Sequence, residues 1–171
     1  YVDSAPEWVG RRFSDGRFTA QSGVSLPSQA APGFCFDHPG VRQAVLRFFE
    51  EVARHASPSP AFHAYDVWSE PAVMNWALPA YLPNAQFCYC PHSLSRFRAW
   101  LHAKHEGRLD SLNTAWYRTF SSWDQVEPPR FGTILTYADF TDWRVYIGEK
   151  IAADLKARAD AVKGIDAAHP V

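Results

Sequence analysis

The chain has 171 residues, with 17 Lys and Arg against 18 Asp and Glu, and a formal net charge of −1. That length supports one domain with a real core, and the balanced charge with no basic patch argues against a nucleic-acid partner. The longest apolar runs are too short to span a bilayer, no signal peptide is visible, and three Cys cannot complete a disulfide framework, so a reducing, cytoplasmic setting is expected. Because the first residue is Tyr1 rather than Met, a leader or upstream region remains compatible with this reading.

Residues 1–38 read as irregular, punctuated by Pro6, Gly10, Gly16, Gly23, Pro27, Pro32 and Gly33, with Tyr1 and Val2 as the tail of a strand. So long a loop is usually functional. Pro39 to about Ala56 follows as an amphipathic helix, with Val41, Ala44, Val45, Phe48, Phe49 and Val52 at helical spacing. Pro39 suits its first turn, and Ser57-Pro58-Ser59-Pro60 stops it.

Ala61 to Trp68 reads as a short buried strand. Residues 71–87 form a second long loop. Ser93 is a candidate cap for a helix over 94–105, and Asp110 for a short helix through Trp116. Phe140, Trp143, Ile147, Ile151 and Leu155 mark the longest helix, about 139–163, with Gly164 as its C-cap. His169-Pro170-Val171 looks like the start of another strand. This order is βαβαβ, the grammar of a parallel sheet with right-handed crossovers.

Two constellations carry chemistry. Tyr65-Asp66-Val67-Trp68-Ser69-Glu70-Pro71 delivers a carboxylate at the tip of a strand-like run, where parallel α/β barrels put their catalytic acids. The bland alternative for Glu70 is a loop acid bonded to backbone. The second constellation is Cys35, Cys88 and Cys90. Thiolates bind zinc at tetrahedral sites, and the alternative is three buried, reduced thiols without metal.

Other residues have plainer readings. Aromatics make up 15% of the chain, including seven Trp. Trp8, Trp76 and Trp123 lie in loops where they would either stack on sugar rings or cap the core. His38 and His63 read as structural histidines. Asp139 and Asp142 sit at a helix start, where they favour its dipole. Lys150, Lys156 and Arg158 read as the solvated face of that helix. There is no phosphate-cradling glycine loop and no Gly-x-Ser-x-Gly elbow.

The chain resembles an internal piece of the catalytic barrel of family 42 glycoside hydrolases, the β-galactosidases of clan A. The likeness runs in order through Ala5-Pro6-Glu7-Trp8-Val9, Phe34-Cys35-Phe36-Asp37-His38-Pro39, Tyr65 to Pro71, and Cys88-Tyr89-Cys90. It continues through Phe97 to Leu101, Leu109 to Trp116, and Gly164 to Val171. It implies a segment of a (β/α)8 TIM barrel, from about the end of strand three to the start of strand five, as part of one catalytic domain. It implies a retaining hydrolase of β-linked glycosides, most often terminal galactosides, with Glu70 as general acid/base and Trp68 and Ser69 shaping the pocket; Trp8 and Trp123 join them as substrate candidates from their loop positions.

The resemblance puts the nucleophile on a later strand, beyond Val171, so these residues alone are expected to be inactive. Asp66, four residues before Glu70, is not proposed for that role. The resemblance also implies a structural zinc held by four Cys. The fourth falls at Ser93, a poor ligand, and His92 beside it is the expected replacement, giving Cys35, Cys88, Cys90 and His92. No organic cofactor is implied, and the expected assembly is a homotrimer.

Two departures bear on substrate. Ser69 stands where the family usually has an Asn that bonds the sugar 2-hydroxyl. Phe120 is followed by Ser121 rather than Trp. Another clan-A glycosidase, a non-catalytic carbohydrate-binding relative and a purely structural fragment therefore stay open as alternatives.

Overall fold

The computed structural model describes residues 5–27, 33–69, 71, 86–131 and 136–171. Five helices organise it: α1 (Glu7–Arg12), α2 (Pro39–Ala56), α3 (Pro91–Lys104), α4 (Leu109–Trp116) and α5 (Ala138–Lys163). Short 3-10 turns occupy Ser14–Gly16 and Trp123–Gln125.

The sequence periodicity places α2 and α5 within a residue of their observed bounds. Helix α2 starts where expected, and His38 caps it by accepting the Gly40 and Val41 amides on Nδ1 at 3.0 and 3.2 Å. Helix α3 starts three residues earlier than expected. Pro91 fills its first turn and the Cys90 sulfur, rather than Ser93, is its cap. Helix α4 is capped by the backbone of Arg108, leaving Asp110 in the first turn. Gly164 does follow α5, but in right-handed helical geometry (φ −65°, ψ −21°) rather than the left-handed cap expected of it. Helix α1 was not visible in the sequence. It has six residues, too few to show a period, and Pro6 precedes it.

Helix α5, 26 residues long, is the spine. Its first half, through Trp143, Tyr146 and Ile147, packs on Phe97, Leu101, Leu112, Trp116 and Val126 of α3, α4 and the loop after them. Its second half, through Leu155, Ala159 and Val162, packs on Phe49 and Ala53 of α2 and on Tyr65 and Val67. A third cluster joins Phe18, Ala20, Leu26 and Phe87 to the three cysteines.

Between the two halves, α5 buries Lys150 and Asp154. The solvated-face reading of this helix is therefore wrong for Lys150, which is 4% exposed, and for Arg158, 5% exposed. It holds for Lys156, which pairs with Asp160 in solvent. The reading of Asp139 and Asp142 as dipole acids is also too slight. Asp139 pairs with Arg118 at 3.1 Å, and Asp142 accepts Trp116 Nε1 at 3.0 Å and an ion pair from Lys104. A periodic polar stripe marks a helix face, but only the neighbours decide whether water or another element lies against it.

Residues 62–66, within the expected strand, lie in no helix and form no ladder. Among the described residues their link to a neighbouring strand-like segment is one rung, the Tyr65 amide on Pro170 O at 3.0 Å. A strand is made by its partners, and among the described residues Pro170 supplies this one rung. Two isolated antiparallel bridges, Arg17 to Phe34 and Thr19 to Ser25, are the other strand-like pairings described. Among the described residues, no helix is long and apolar enough to cross a membrane.

Candidate functional site

The three cysteines come together. Cys35 precedes α2, whereas Cys88 and Cys90 precede α3, yet their sulfurs all lie within 4.8 Å of one another and all are buried. The chain is folded around the sulfurs by backbone amides. Thr19 N and Cys90 N donate to Cys88 Sγ, and Ser93 N donates to Cys90 Sγ, each at 3.4 Å. Amides aimed at sulfur favour thiolate. Burial pushes the Cys35 and Cys88 thiols up. Hydrogen bonds from Cys35 and Cys88, then from Ser93, hold Cys90 well below the usual thiol range. Cys90 also sits at the positive end of α3, where a negative charge is favoured. Three clustered, buried sulfurs on two loops, with amide donors already in place, fit a soft tetrahedral ion such as zinc.

His92 does not join them. Its Nε2 donates to Asp15 Oδ2 at 2.9 Å, and its ring lies 4.4 Å from that of His38. The expected Cys3His ligand set is therefore not the arrangement the side chains adopt. Asp15, His38 and His92 are close enough to suggest a second metal cage. The cap on α2 argues otherwise. His38 Nδ1 accepts two amides, so its proton is on Nε2 and points at Asp15 Oδ1, 3.2 Å away. Asp15 is thus a carboxylate receiving two imidazole N–H groups. These bonds, that of His92 foremost, hold its pKa below the usual carboxylate value.

Beneath the cysteines runs an ion network that the sequence did not disclose. Asp37, two residues after Cys35, accepts Ser93 Oγ at 2.6 Å and pairs with Arg96 and with Lys150, the latter at 3.2 Å. Lys150 also pairs with Asp154, which receives Arg42 at 3.1 Å and Arg96 at 3.6 Å. Burial alone would lower the Lys150 pKa, but Asp37 and Asp154 outweigh it and hold the ammonium above its ordinary value. The network fastens the cysteine loops to the middle of α5.

The second candidate region is residues 65–69. Tyr65 donates to Asp166 at 2.7 Å, and Asp166 also receives His169 Nδ1 at 2.7 Å. Asp66 is exposed and accepts the Trp68 amide at 3.2 Å. Trp68 is half-buried, with the Arg158 guanidinium 3.9 Å from its ring centre and the same guanidinium 5.1 Å from Phe36. Ser69 is exposed. Glu70 and Trp76 lie outside the described residues. Trp8 is 47% exposed on α1. Trp123 packs against the α3–α4 core, with its ring 5.1 Å from His102. Arg158 had no readable signal, since its contacts come from segments far away in the chain.

The family and curated-protein comparisons agree with each other. The model of the family described as β-galactosidase, glycoside hydrolase family 42, matches residues 3–171. The β-galactosidase bgaB of Geobacillus kaustophilus is 25% identical over 132 residues, covering 74% of this chain and 18% of that protein. The β-galactosidase Pbg of Clostridium perfringens is 22% identical over 172 residues, covering 97% of this chain and 23% of that protein. Among solved structures, a catalytic mutant of Gan42B, a family 42 β-galactosidase from G. stearothermophilus, superposes with a TM-score of 0.76 at 18% identity. That match covers 99% of this chain and 24% of the other. The chain thus spans about a quarter or less of its relatives' length, and it has the fold of a segment of such a barrel enzyme. From the match along nearly its whole length, the chain belongs to glycoside hydrolase family 42.

Proposed function

We propose that this chain is the portion of a (β/α)8 catalytic domain from the end of strand three to the start of strand five, in a retaining hydrolase of β-linked glycosides. Terminal β-galactosides are its substrate class. The observation that carries this reading is the ordered family match over residues 3–171.

Glu70 is the general acid/base. As an acid it protonates the leaving oxygen; as a base it takes a proton from the incoming water once the sugar is on the nucleophile. Trp68, clamped by Arg158, supports the segment that ends in this carboxylate. The nucleophile must be a second carboxylate about 5–5.5 Å from the first. Asp66 is turned to its own backbone and Asp166 is taken up by Tyr65 and His169. The family resemblance puts the nucleophile on a later strand, outside these 171 residues, and the chain alone is assigned no turnover. Ser69, Trp68, Trp8 and Trp123 are assigned to substrate, Ser69 offering one hydroxyl to the sugar.

A structural zinc at Cys35, Cys88 and Cys90 ties the α2 approach to the α3 approach and takes no part in the chemistry. The assembled protein is assigned as a homotrimer, testable by its mass in solution.

The test is Glu70→Gln in the protein containing this chain. Hydrolysis of substrates with poor leaving groups should fall by about 10²–10⁴-fold. Activated aryl galactosides should be rescued by azide. Full activity on poor leaving groups would refute the role. Preference for another aryl glycoside in a panel would move the substrate class while keeping the reaction.

A further inference from the structure

The cysteine cluster has a fourth corner. Ser93 Oγ is buried and stands 3.1 Å from Cys35 Sγ and 3.5 Å from Cys90 Sγ. With Zn–S near 2.3 Å and Zn–O near 2.1 Å, adjacent ligand atoms of a tetrahedral site lie about 3.6–3.8 Å apart. The hydroxyl stands beside two of the three sulfurs, up to about half an ångström closer than a bound fourth ligand would, so a small opening of the cluster brings it into the fourth position. His92 has turned away to Asp15.

We propose, resting on the zinc reading above, that Ser93 and not His92 completes the site, giving three thiolates and one neutral hydroxyl with Asp37 as the supporting carboxylate. Asp37 Oδ2 accepts the Ser93 O–H at 2.6 Å. That charge-assisted bond draws the proton away from the cluster and leaves the oxygen lone pairs facing the sulfurs. Asp37 is fixed in turn by Lys150 and Arg96, so the hydroxyl cannot swing away without disturbing a buried ion network.

On binding, Zn2+ replaces the remaining thiol protons, which leave to solvent. Ser93 keeps its proton on the bond to Asp37. Three thiolates around Zn2+ carry one negative charge, and the adjoining network, Lys150, Arg96 and Arg42 against Asp37 and Asp154, has one positive charge left over to offset it. Because a neutral oxygen is a poorer partner for zinc than a thiolate, this site binds more weakly than a four-thiolate one and exchanges its ion more readily.

The experiment uses the full chain, competition against a chromophoric zinc chelator, and the absorption spectrum of the Co2+ form. Far-ultraviolet circular dichroism establishes that each variant is folded. The wild type should take up one Zn2+ per chain. His92→Ala should bind within about threefold of wild type. Ser93→Ala should weaken binding at least tenfold. Ser93→Cys should tighten it at least tenfold and add thiolate-to-cobalt charge-transfer intensity.

Weakened binding in His92→Ala, with Ser93→Ala unchanged, would overturn the assignment and return His92 to the site. Zinc bound by Ser93→Cys but not by wild type would overturn the Ser93 ligand while leaving the cysteine cluster as a metal site. No zinc in either would defeat both readings. Should Ser93→Ala fail to fold, Ser93→Gly, which also removes the hydroxyl, decides: binding within about threefold of wild type would overturn the Ser93 ligand.

Discussion

Lys150→Met tests the energetic centre of the structure. Lys150 is 4% exposed and bridges two buried carboxylates, Asp37 at 3.2 Å and Asp154. Met fills similar volume, so the perturbation removes charge rather than packing. Removing one partner of a buried pair costs about 3–5 kcal/mol, because the other charge is left uncompensated. Here part of that is recovered. Arg96 stays on Asp37, and Arg42 stays on Asp154 at 3.1 Å. Both arginines are a third or more exposed and so partly screened by water. A loss of about 2–3 kcal/mol follows, or about 4–12 °C in Tm for a chain of this size. Urea unfolding of wild type and variant gives the difference directly. The double variant Lys150→Met/Asp154→Leu should fall short of additivity by about 1 kcal/mol or more, as for groups in one network. A Lys150→Met change within about 0.5 kcal/mol of wild type would show an ordinary surface lysine and refute the reasoning.

Three further outcomes are expected. His105 is buried, with Nδ1 paired to Ser111 Oγ at 3.0 Å and, among the described residues, no partner on Nε2; burial lowers its pKa. The neutral ring is the one the fold accepts, so its contribution is present above the unfolded pKa of about 6.5 and is lost as pH falls below it. Between pH 7.5 and 5.5 the wild type should therefore lose more stability than His105→Gln, and equal slopes would remove this role. Gly40→Ala should destabilise by about 1–3 kcal/mol despite better helix propensity, because the new Cβ would stand 2.5 Å from the Phe13 ring; Phe13→Leu should relieve part of the loss in thermal melts. Arg158→Lys should lower stability by about 1 kcal/mol in urea, since lysine lacks the plane that lies on Trp68 and Phe36, and an unchanged midpoint would show the stack to be idle.

The long periodic elements were legible because their physics is local. A helix face repeats every three to four residues, so α2 and α5 could be bounded from Val41 to Val52 and from Phe140 to Leu155. The meeting of Cys35 with Cys88 and Cys90 was legible only through family resemblance, since the first two lie 53 positions apart. Beyond the missed α1, the misplaced α3 cap and the strand that forms no ladder, what failed were single polar residues on otherwise correct helices. Lys150 and Arg158 obey the pattern of a wet face, yet each is covered by side chains whose approach no window of the sequence contains.

The amino-acid order alone determined the helical spine, the family and the residue types available to the site. Only the tertiary structure decided which of two adjacent side chains, His92 or Ser93, faces the sulfurs. That choice follows from the cap at Cys90, which sets the first turn of α3, and from Asp15 and Asp37, which draw the two side chains to different partners. Neighbouring positions on a helix are about 100° apart, so one turns inward as the other turns out.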